Sequence, residues 1–289
     1  MASTRQLKGR IRSVKSTKQI TKAMQLVAAS KMRRAQDSAS ATDSYAQTAA
    51  ELLTRLSRDG ETKTHSLYAE RTVKNRIVIV ITSNRGLAGA YNSNVLKQYI
   101  NRLKEDDSVK VTTSAIAIGK KGAQLATRLK NDHVIGVYNE LMEHPTGPAL
   151  KAVVNTIVEQ FATKKVDAVE VIYTKYINSL SQVVTTLPLL PAGFTEVEPS
   201  EHMTQAIFEP SASEVLEAAT IRLIEAQLFQ SILDSVASEH SMRMMAMKNA
   251  TDNATDLIDD LTLAMNKLRQ ADITQELAEI SGGVEAMKV

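Results

Sequence analysis

Residues 211–280 have the sequence SASEVLEAATIRLIEAQLFQSILDSVASEHSMRMMAMKNATDNATDLIDDLTLAMNKLRQADITQELAEI and contain neither glycine nor proline. Ser211 and Glu214 have the spacing of a capping box, and Gly282-Gly283 predict the end of a helix. A continuous helix here would be roughly 100 Å long, more than the diameter of a globular protein of 289 residues. The stretch therefore predicts a shaft that extends beyond a globular body.

Apolar residues recur along this shaft in a heptad pattern. One heptad position holds Leu216, Leu223, Gln230, Ala237, Met244, Thr251, Ile258 and Met265, and the other holds Ala219, Ala226, Leu233, His240, Met247, Ala254, Leu261 and Leu268. Thirteen of these sixteen residues are apolar, which is typical of a coiled coil. The pattern predicts that the shaft packs against a second long helix.

The second helix is predicted over residues 3–56, because residues 10–59 contain no glycine or proline. Its apolar stripe is expected to drift around the helix and consists of Leu7, Ile11, Val14, Ile20, Met24, Val27, Ala28, Met32, Ala35, Ala39, Ala46 and Leu53. Residues 1–36 contain ten basic and no acidic residues, whereas residues 214–289 contain thirteen acidic and six basic ones. Apolar and charge complementarity both favour an antiparallel pairing of the terminal helices.

The basic helix leaves other partners open. Nucleic acid or anionic lipid would attract the same charge. However, no aromatic residues alternate with the basic ones, and the apolar face lacks bulky anchors for a membrane surface. A solvated face opposite an acidic protein surface is the simplest interpretation.

Residues 75–190 alternate between strand and helix patterns. The β-branched run RIVIVIT at residues 76–82 is typical of a strand buried on both faces. Further strands are predicted over residues 111–118, 134–138, 166–176 and 182–189, the last two as a hairpin, with helices between the earlier ones. The fold class predicted is α/β with a long antiparallel coiled coil, in which the terminal helices pair and a Rossmann-like domain lies between them. The predicted boundaries are residues 1–58, 75–195 and 211–289.

Two glycine-containing loops follow predicted strands, as phosphate-binding loops do. They are Gly86-Leu-Ala-Gly89 and Gly119-Lys-Lys-Gly122, and neither matches a dinucleotide or P-loop fingerprint. Strand-to-helix turns that need glycine for backbone reasons are the favoured interpretation. The five histidines lack metal-ligand spacing, and no acid–base or nucleophile–base arrangement can be argued. The sequence thus predicts no catalytic residue, no metal site and no cofactor.

Composition narrows the class of protein further. The chain has no cysteine, which excludes disulfides and thiol chemistry and fits a reducing compartment. It has no apolar run long enough to span a membrane, and the opening MASTRQLKGR predicts no secretory signal.

Four segments carry a resemblance to a known family. They are ITKAMQLVAASKMRRAQ (residues 20–36), TSNRGLAGAYNSN (82–94), SEHSMRMMAMKNATDNA (238–254) and NKLRQADITQELAEI (266–280). In this order, and over essentially the whole length, the chain resembles the γ subunits of F-type ATP synthases. The resemblance implies a central-stalk rotor that couples transmembrane proton flow to conformational cycling of catalytic β subunits for ATP synthesis or hydrolysis.

The resemblance also implies partners and a location. The partners would be a hexamer of three α and three β subunits, the ε subunit and the membrane c-ring, without nucleic acid and with only peripheral contact to the membrane. The expected location is the cytoplasmic face of a bacterial cell membrane. The activity would belong to the assembled complex rather than to this chain.

The resemblance further implies three groups of contact residues. Arg269 and Gln270 match a pair that hydrogen-bonds an acidic catch loop on β, where the arginine fork suits a carboxylate. A β-facing coupling region consists of Met24, Lys18, Lys22, Lys31, Arg33 and Arg34. A foot segment that meets the rotor ring consists of Ile207, Phe208 and Glu209. Residues from 273 onward would form a tip within an apolar bearing.

Two readings from other classes remain open at this point. One is a nucleotide-binding enzyme that uses the α/β domain, and the missing phosphate fingerprint counts against it. The other is a coiled-coil scaffold or nucleic-acid binder, which salt-sensitive retention on DNA would favour.

Overall fold

The computed structural model describes residues 3–58, 60, 62, 65–129, 133–193, 208–209 and 211–286, without the side chains of 40–50, 58, 282 and 284–286. The chain divides into two compact units. Residues 1–28 and 243–289 form the paired-helix unit, and residues 29–242 form the α/β unit. The three-part division given by the sequence stays a prediction.

The described residues form five α-helices and five strands. The helices are α1 (Thr4–Arg58), α2 (Tyr91–Ser108), α3 (Lys120–Ala126), α4 (Pro148–Ala162) and α5 (Ala212–Ala286). The strands are β1 (Asn75–Ile81), β2 (Thr112–Ile118), β3 (His133–Val137), β4 (Ala168–Tyr176) and β5 (Gln182–Leu190). Both terminal helices and all five strands lie where the sequence predicts them.

The strands form one sheet in the order β3-β2-β1-β4-β5. Every neighbouring pair is parallel except β4 with β5, which form an antiparallel hairpin. Six of the seven residues of β1 are buried, as expected for a central strand covered on both faces. The predicted α/β class and the predicted hairpin are confirmed.

Helices cover the two faces of this sheet separately. Val95 and Tyr99 of α2 pack with Val78 and Val80 of β1 on one face. On the other face, α4 packs with the part of α5 that contains Leu228. A third cluster joins α1 to α5 and consists of Leu53, Leu56, Leu216 and Leu223.

A buried charge network ties β1, β4 and α2 together. Arg76 bonds to Glu170 and, through Nε, to Asp106 Oδ2 at 3.1 Å. Arg102 Nη2 lies 2.8 Å from the same Glu170, and Thr113 Oγ1 donates to Asp106 at 2.8 Å. Each buried carboxylate is thereby matched by a guanidinium, which burial of a charge requires.

Both long helices begin with a side-chain cap. The Glu214 amide donates to Ser211 Oγ at 3.3 Å, so the predicted cap of α5 is confirmed. The Gln6 amide donates to Ser3 Oγ at 3.3 Å and the Ser3 amide to Gln6 Oε1 at 3.1 Å, which closes a reciprocal capping box at the start of α1.

The heptad predicted for α5 is confirmed, because each of its sixteen positions is buried or half-buried. In the paired-helix unit, Thr21 Oγ1 of α1 lies 2.8 Å from Thr251 Oγ1 of α5, and both threonines are buried. Thr4, the first residue of α1, precedes Thr21 by nearly as many residues as Arg269 follows Thr251. Continuous exposure of α5 therefore begins where α1 starts. The helices therefore run antiparallel, as predicted.

The predicted drift of the α1 stripe is wrong. In the paired-helix unit, the buried or half-buried seam positions follow strict heptad spacing and are Leu7, Ile11, Val14, Lys18, Thr21, Gln25 and Ala28. Ile20 and Val27 are 60% and 57% exposed. The apolar pattern misled because Thr21 occupies the seam in place of its apolar neighbour Ile20, and its hydroxyl is satisfied by Thr251.

The predicted stop at Gly282-Gly283 is also wrong, since α5 continues to Ala286. A glycine ends a helix by adopting a left-handed conformation, and Gly283 instead remains helical. Glycine inside a helix costs only about 1 kcal/mol relative to alanine, so the helix can run through it.

Candidate functional site

The first place to search is the carboxyl edge of the sheet, where open α/β folds bind their ligands. Gly119 has a φ of +95°, and a Cβ placed on it would lie 1.9 Å from the carbonyl oxygen of Thr82. The first amides of α3 are already bonded: Lys120 N to Asn84 Oδ1 at 3.2 Å, Lys121 N to Ser83 O at 3.1 Å and Gly122 N to Thr82 Oγ1 at 2.7 Å. Gly119 and Gly122 permit close packing against Thr82 at the end of β1. The first amides of α3 are hydrogen-bonded to groups of the protein.

The residues on either side of the loop at 86–89 are also bonded within the protein. The Ser83 amide donates to Asn92 Oδ1 at 3.0 Å, and Asn84 Nδ2 donates to the carbonyl of Asn139 at 2.9 Å. Gly89 has a φ of +56°, which glycine adopts without steric cost. The structure thus agrees with the interpretation of both glycine pairs as strand-to-helix turns.

A row of serines on α5 closes the same edge at the end of β4. The Thr174 amide donates to Ser235 Oγ at 3.3 Å, and Ser238 Oγ donates to the Thr174 carbonyl at 3.2 Å. Ser241 Oγ donates to the carbonyl of Ser179 at 2.9 Å. Because β4 extends beyond its pairing with β1, these hydroxyls satisfy backbone groups that would otherwise be left without partners.

This row of serines was not predicted, although its spacing is visible in the sequence. Ser235, Ser238 and Ser241 recur every three residues along α5. All three are fully buried. A periodic set of small hydroxyl residues beside a heptad seam indicates a helix that packs against the end of a strand.

The paired-helix unit carries much of the predicted β-facing region. Lys22 is exposed and bonds Gln25 at 3.3 Å, whereas Lys18 and Met24 are half-buried. Ile20 and Leu26, which the prediction of this region did not include, are 60% and 61% exposed. The outer side of this helix pair is therefore basic and apolar at once.

The remaining members of that region lie on α1 within the α/β unit. Lys31, Arg33 and Arg34 are all exposed, while Met32 and Ala35 are buried between them. The alternation leaves three cations directed to solvent from a helix whose other side is packed.

Arg269 and Gln270 mark the start of the exposed end of α5. Every described side chain from residue 269 to residue 281 is exposed. Ile273, Leu277 and Ile280 share one face of this segment and are 49%, 60% and 64% exposed. From the register of the threonine pair, Arg269 lies roughly 30 Å along the helix axis from Met24, so these predicted contacts are separate.

The predicted foot segment is only partly described. Ile207 lies outside the described residues. Phe208 is half-buried and packs on the cluster that contains Leu53 and Leu216, and Glu209 is exposed. Among these, Glu209 is the side chain most accessible to a partner.

Comparison with known proteins covers the chain from end to end. The family model described as ATP synthase matches residues 3–287. A protein of Roseiflexus castenholzii called ATP synthase gamma chain is 41% identical over 289 residues, with 99% of each chain covered. Another of that name, from Staphylococcus haemolyticus, is 37% identical with full coverage of both chains.

The chain belongs to the ATP synthase gamma family.

Solved structures agree with the fold expected of the gamma family. A chain of the Euglena gracilis mitochondrial ATP synthase matches with a TM-score of 0.64 and 20% identity, covering 98% of this chain and 94% of the other. A chain from the central stalk and c-ring of the Tetrahymena thermophila enzyme matches with a TM-score of 0.57 and 24% identity, covering 80% and 99%. At these identities the likeness concerns the fold.

The described residues contain neither a helix that could span a membrane nor a group of side chains that could hold a metal ion. None of the helices described is long and apolar enough to cross a membrane. Within the described part of the chain, no three acidic or histidine side chains are grouped closely enough to hold a metal ion.

Proposed function

We propose that this gamma-family chain is the central-stalk rotor subunit of an F-type ATP synthase. It couples transmembrane proton flow to conformational cycling of the catalytic β subunits, and it is not itself catalytic. The observation that carries the proposal is the continuous exposure of α5 from residue 269 to residue 281. The heptad positions of α5 before residue 269 are, by contrast, buried or half-buried. A projecting helical end that retains an apolar face suits insertion into a partner.

The contact residues follow from exposure and chemistry. Arg269 and Gln270 are exposed and suit an acidic loop on β, because a guanidinium binds a carboxylate in two places. Lys22, Lys31, Arg33 and Arg34 are exposed cations that suit an acidic rim, and the half-buried Met24 and Lys18 border them.

Other partners complete the proposal. Glu209, together with Phe208 and Ile207, would meet the polar loops of the membrane c-ring, and the ε subunit would bind beside them. The complex would lie on the cytoplasmic face of the cell membrane, with this chain held there only through its partners. No cofactor is assigned to the chain.

The alternative of a nucleotide-binding enzyme has less support. The amides at the start of α3 already have acceptors, and buried serines of α5 occupy the end of β4. A nucleotide phosphate would need those donors free at the carboxyl edge of the sheet.

The test is ATP hydrolysis by α and β subunits from the same organism, with and without this chain. We expect the chain alone to be inactive and to enter a 3:3:1 complex (the stoichiometry that the resemblance implies) with raised ATPase activity. Nucleotide hydrolysis by the chain alone would contradict the proposal.

Arg269→Ala tests the catch-loop contact within that assay. Loss of a charge-assisted pair should weaken the contact about tenfold and lower turnover or assembly, while the isolated chain stays folded because Arg269 is exposed. Lys267→Ala, an exposed cation on the same helix, is the matched control. Equal turnover of the Arg269→Ala complex and the parent complex would remove Arg269 from the interface.

A further inference from the structure

A groove of about 340 Å³ lies beside α2 in the α/β unit. Residues from α2, β4, β5 and α5 line it, among them Asn94, Lys97, Gln98, Thr174, Gln182 and Met242. Its volume is at the lower end of the range for small-molecule sites in proteins.

The groove lies near the carboxyl ends of two adjacent parallel strands, β1 and β4. The chain leaves these ends toward opposite edges of the sheet, through α2 after β1 and through the hairpin to β5 after β4. Open α/β sheets bind ligands outside the carboxyl ends of their strands. The helix that follows β1 supplies one wall, and Thr174, near the carboxyl end of β4, supplies the other. The serine row of α5 closes the edge itself but leaves this side pocket open.

Thr174 contributes a buried hydroxyl to the groove. The residue is 1% exposed, and its Oγ1 has no hydrogen-bond partner among the described residues, although its backbone amide and carbonyl are both bonded. Its side chain lies on the same face of β4 as Ile172, which packs on the α2 side. A buried hydroxyl without a partner is unfavourable, so a ligand oxygen here would be stabilising.

The remaining polar groups of the groove favour an anion. Lys97 supplies a positive charge, and the side-chain amides of Asn94 and Gln98 supply donors. The Gln182 side-chain amide donates to the Asn178 carbonyl and to Ser241 Oγ instead. No carboxylate is found among its described lining residues, and the first turn of α2 contains no acidic side chain. The positive end of the α2 dipole adds to the same potential.

We propose that this groove binds a small oxyanion, with the Lys97 ammonium providing the charge and Thr174 Oγ1 donating a hydrogen bond. Phosphate and carboxylate ligands share this chemistry. The site is independent of the proposed rotor function and would be present in the isolated chain as well as in a complex.

Met242 makes the proposal testable by NMR, because this residue lines the groove. The full chain, labelled with [¹³C-methyl]methionine and assigned with Met242→Leu, would be titrated separately with orthophosphate and with malonate at constant ionic strength. Potassium chloride would serve as the reference anion. We expect a saturable shift of the Met242 methyl signal, while Met32 on α1 stays unmoved; the anion that binds more tightly identifies the ligand class.

Three variants decide whether the named groups bind the anion. Lys97→Gln and Thr174→Val should each weaken binding about tenfold, and Thr174→Ser, which keeps the hydroxyl, should retain it. Lys151→Gln, an exposed cation on α4, is the matched control and should change nothing. The proposal is overturned if neither anion gives a saturable shift, if the two lysine variants weaken binding equally, or if Thr174→Val binds like the parent chain.

Discussion

The α/β unit and the paired-helix unit bury their side chains in different ways. Residues 29–242 contain all three described clusters of buried apolar side chains, two on the faces of the sheet and one between α1 and α5. The paired helices bury one narrow seam that includes Ala28, Thr21, Thr251 and Ala254. Both units also leave large apolar side chains exposed, such as Leu180 in the α/β unit and Leu26 in the helix pair, so the difference between them lies in how the buried side chains are enclosed.

Because of this difference, substitutions in the two units should affect different properties, folding stability in one case and assembly in the other. A residue in the α/β unit that is fully enclosed has little freedom to change without loss of the fold. The exposed residues of the helix pair can change with little effect on folding, so any effect there would appear on assembly. The chain offers a convenient probe, because all seven tyrosines lie between residues 45 and 176 and there is no tryptophan. Tyrosine fluorescence therefore reports the α/β unit alone.

The largest effect is expected from Gly119→Ala. The added Cβ would lie 1.9 Å from the Thr82 carbonyl oxygen, at a φ of +95° that alanine disfavours. Clash and backbone strain together should destabilise the α/β unit by more than about 4 kcal/mol. Urea unfolding followed by tyrosine fluorescence measures this, with Gly86→Ala as control because nothing lies within 4 Å of its Cβ position. Equal midpoints for the two variants would contradict the packing described.

Arg76→Ala should have the next largest effect. It removes a guanidinium from between Asp106 and Glu170 and leaves their negative charges buried, which costs about 3 kcal/mol or more. The same fluorescence unfolding curve provides the measurement. Arg128→Ala, at an exposed position of the same unit, should leave the free energy of unfolding within about 0.5 kcal/mol of the parent value.

Replacing the threonines of the paired-helix unit should have a smaller effect, and the effect should depend on whether one or both are replaced. Thr21→Val alone should cost about 1 kcal/mol, and the double variant with Thr251→Val should be nearly neutral, because both partners are then replaced by apolar groups of similar shape. Thermal melting followed by circular dichroism at 222 nm would give the coupling free energy of the pair. A coupling of zero would mean that the contact adds nothing to the seam.

The smallest effect is expected from Asp167→Ala and concerns the stability of the α/β unit at acid pH. Its carboxylate accepts hydrogen bonds from the amides of Asn75 and Lys74 at 3.0 and 2.9 Å, and these lower the pKa of Asp167. A lowered pKa means that this contribution to stability is present above the ordinary aspartate range and is lost as pH falls through the folded-state value. Asp167→Ala should therefore flatten the acid side of the stability–pH curve of the α/β unit. An unchanged acid slope would remove this carboxylate as a source of the pH dependence.

Periodicity allowed both long helices and the sheet class to be predicted from sequence. The heptad of α5 holds at every position because its apolar residues really form the seam. The α1 stripe failed at Ile20 and Val27, since a hydrophobic scale ranks them above Thr21 and cannot see the hydroxyl of Thr251 opposite. The helix end failed because Gly283 permits a left-handed turn without requiring it.

The candidate site was harder to predict for the same physical reason. Exposed cations such as Lys22 and Arg33 could be identified from charge alone. The closure of the sheet edge by Ser235 and Ser238 depends on a contact between residues about sixty positions apart. The same holds for the groove beside α2, whose lining comes from four separate elements.

The exposed end of α5 also has a kinetic consequence. From residue 269 to residue 281 its backbone hydrogen bonds are held by helix propensity alone, and a short helix without tertiary packing opens readily in water. In the isolated chain, these amides should exchange with deuterium orders of magnitude faster than those around Ile232, which is fully buried. A partner that encloses the segment would slow that exchange without changing a single bond within the helix, so deuterium uptake would record assembly directly.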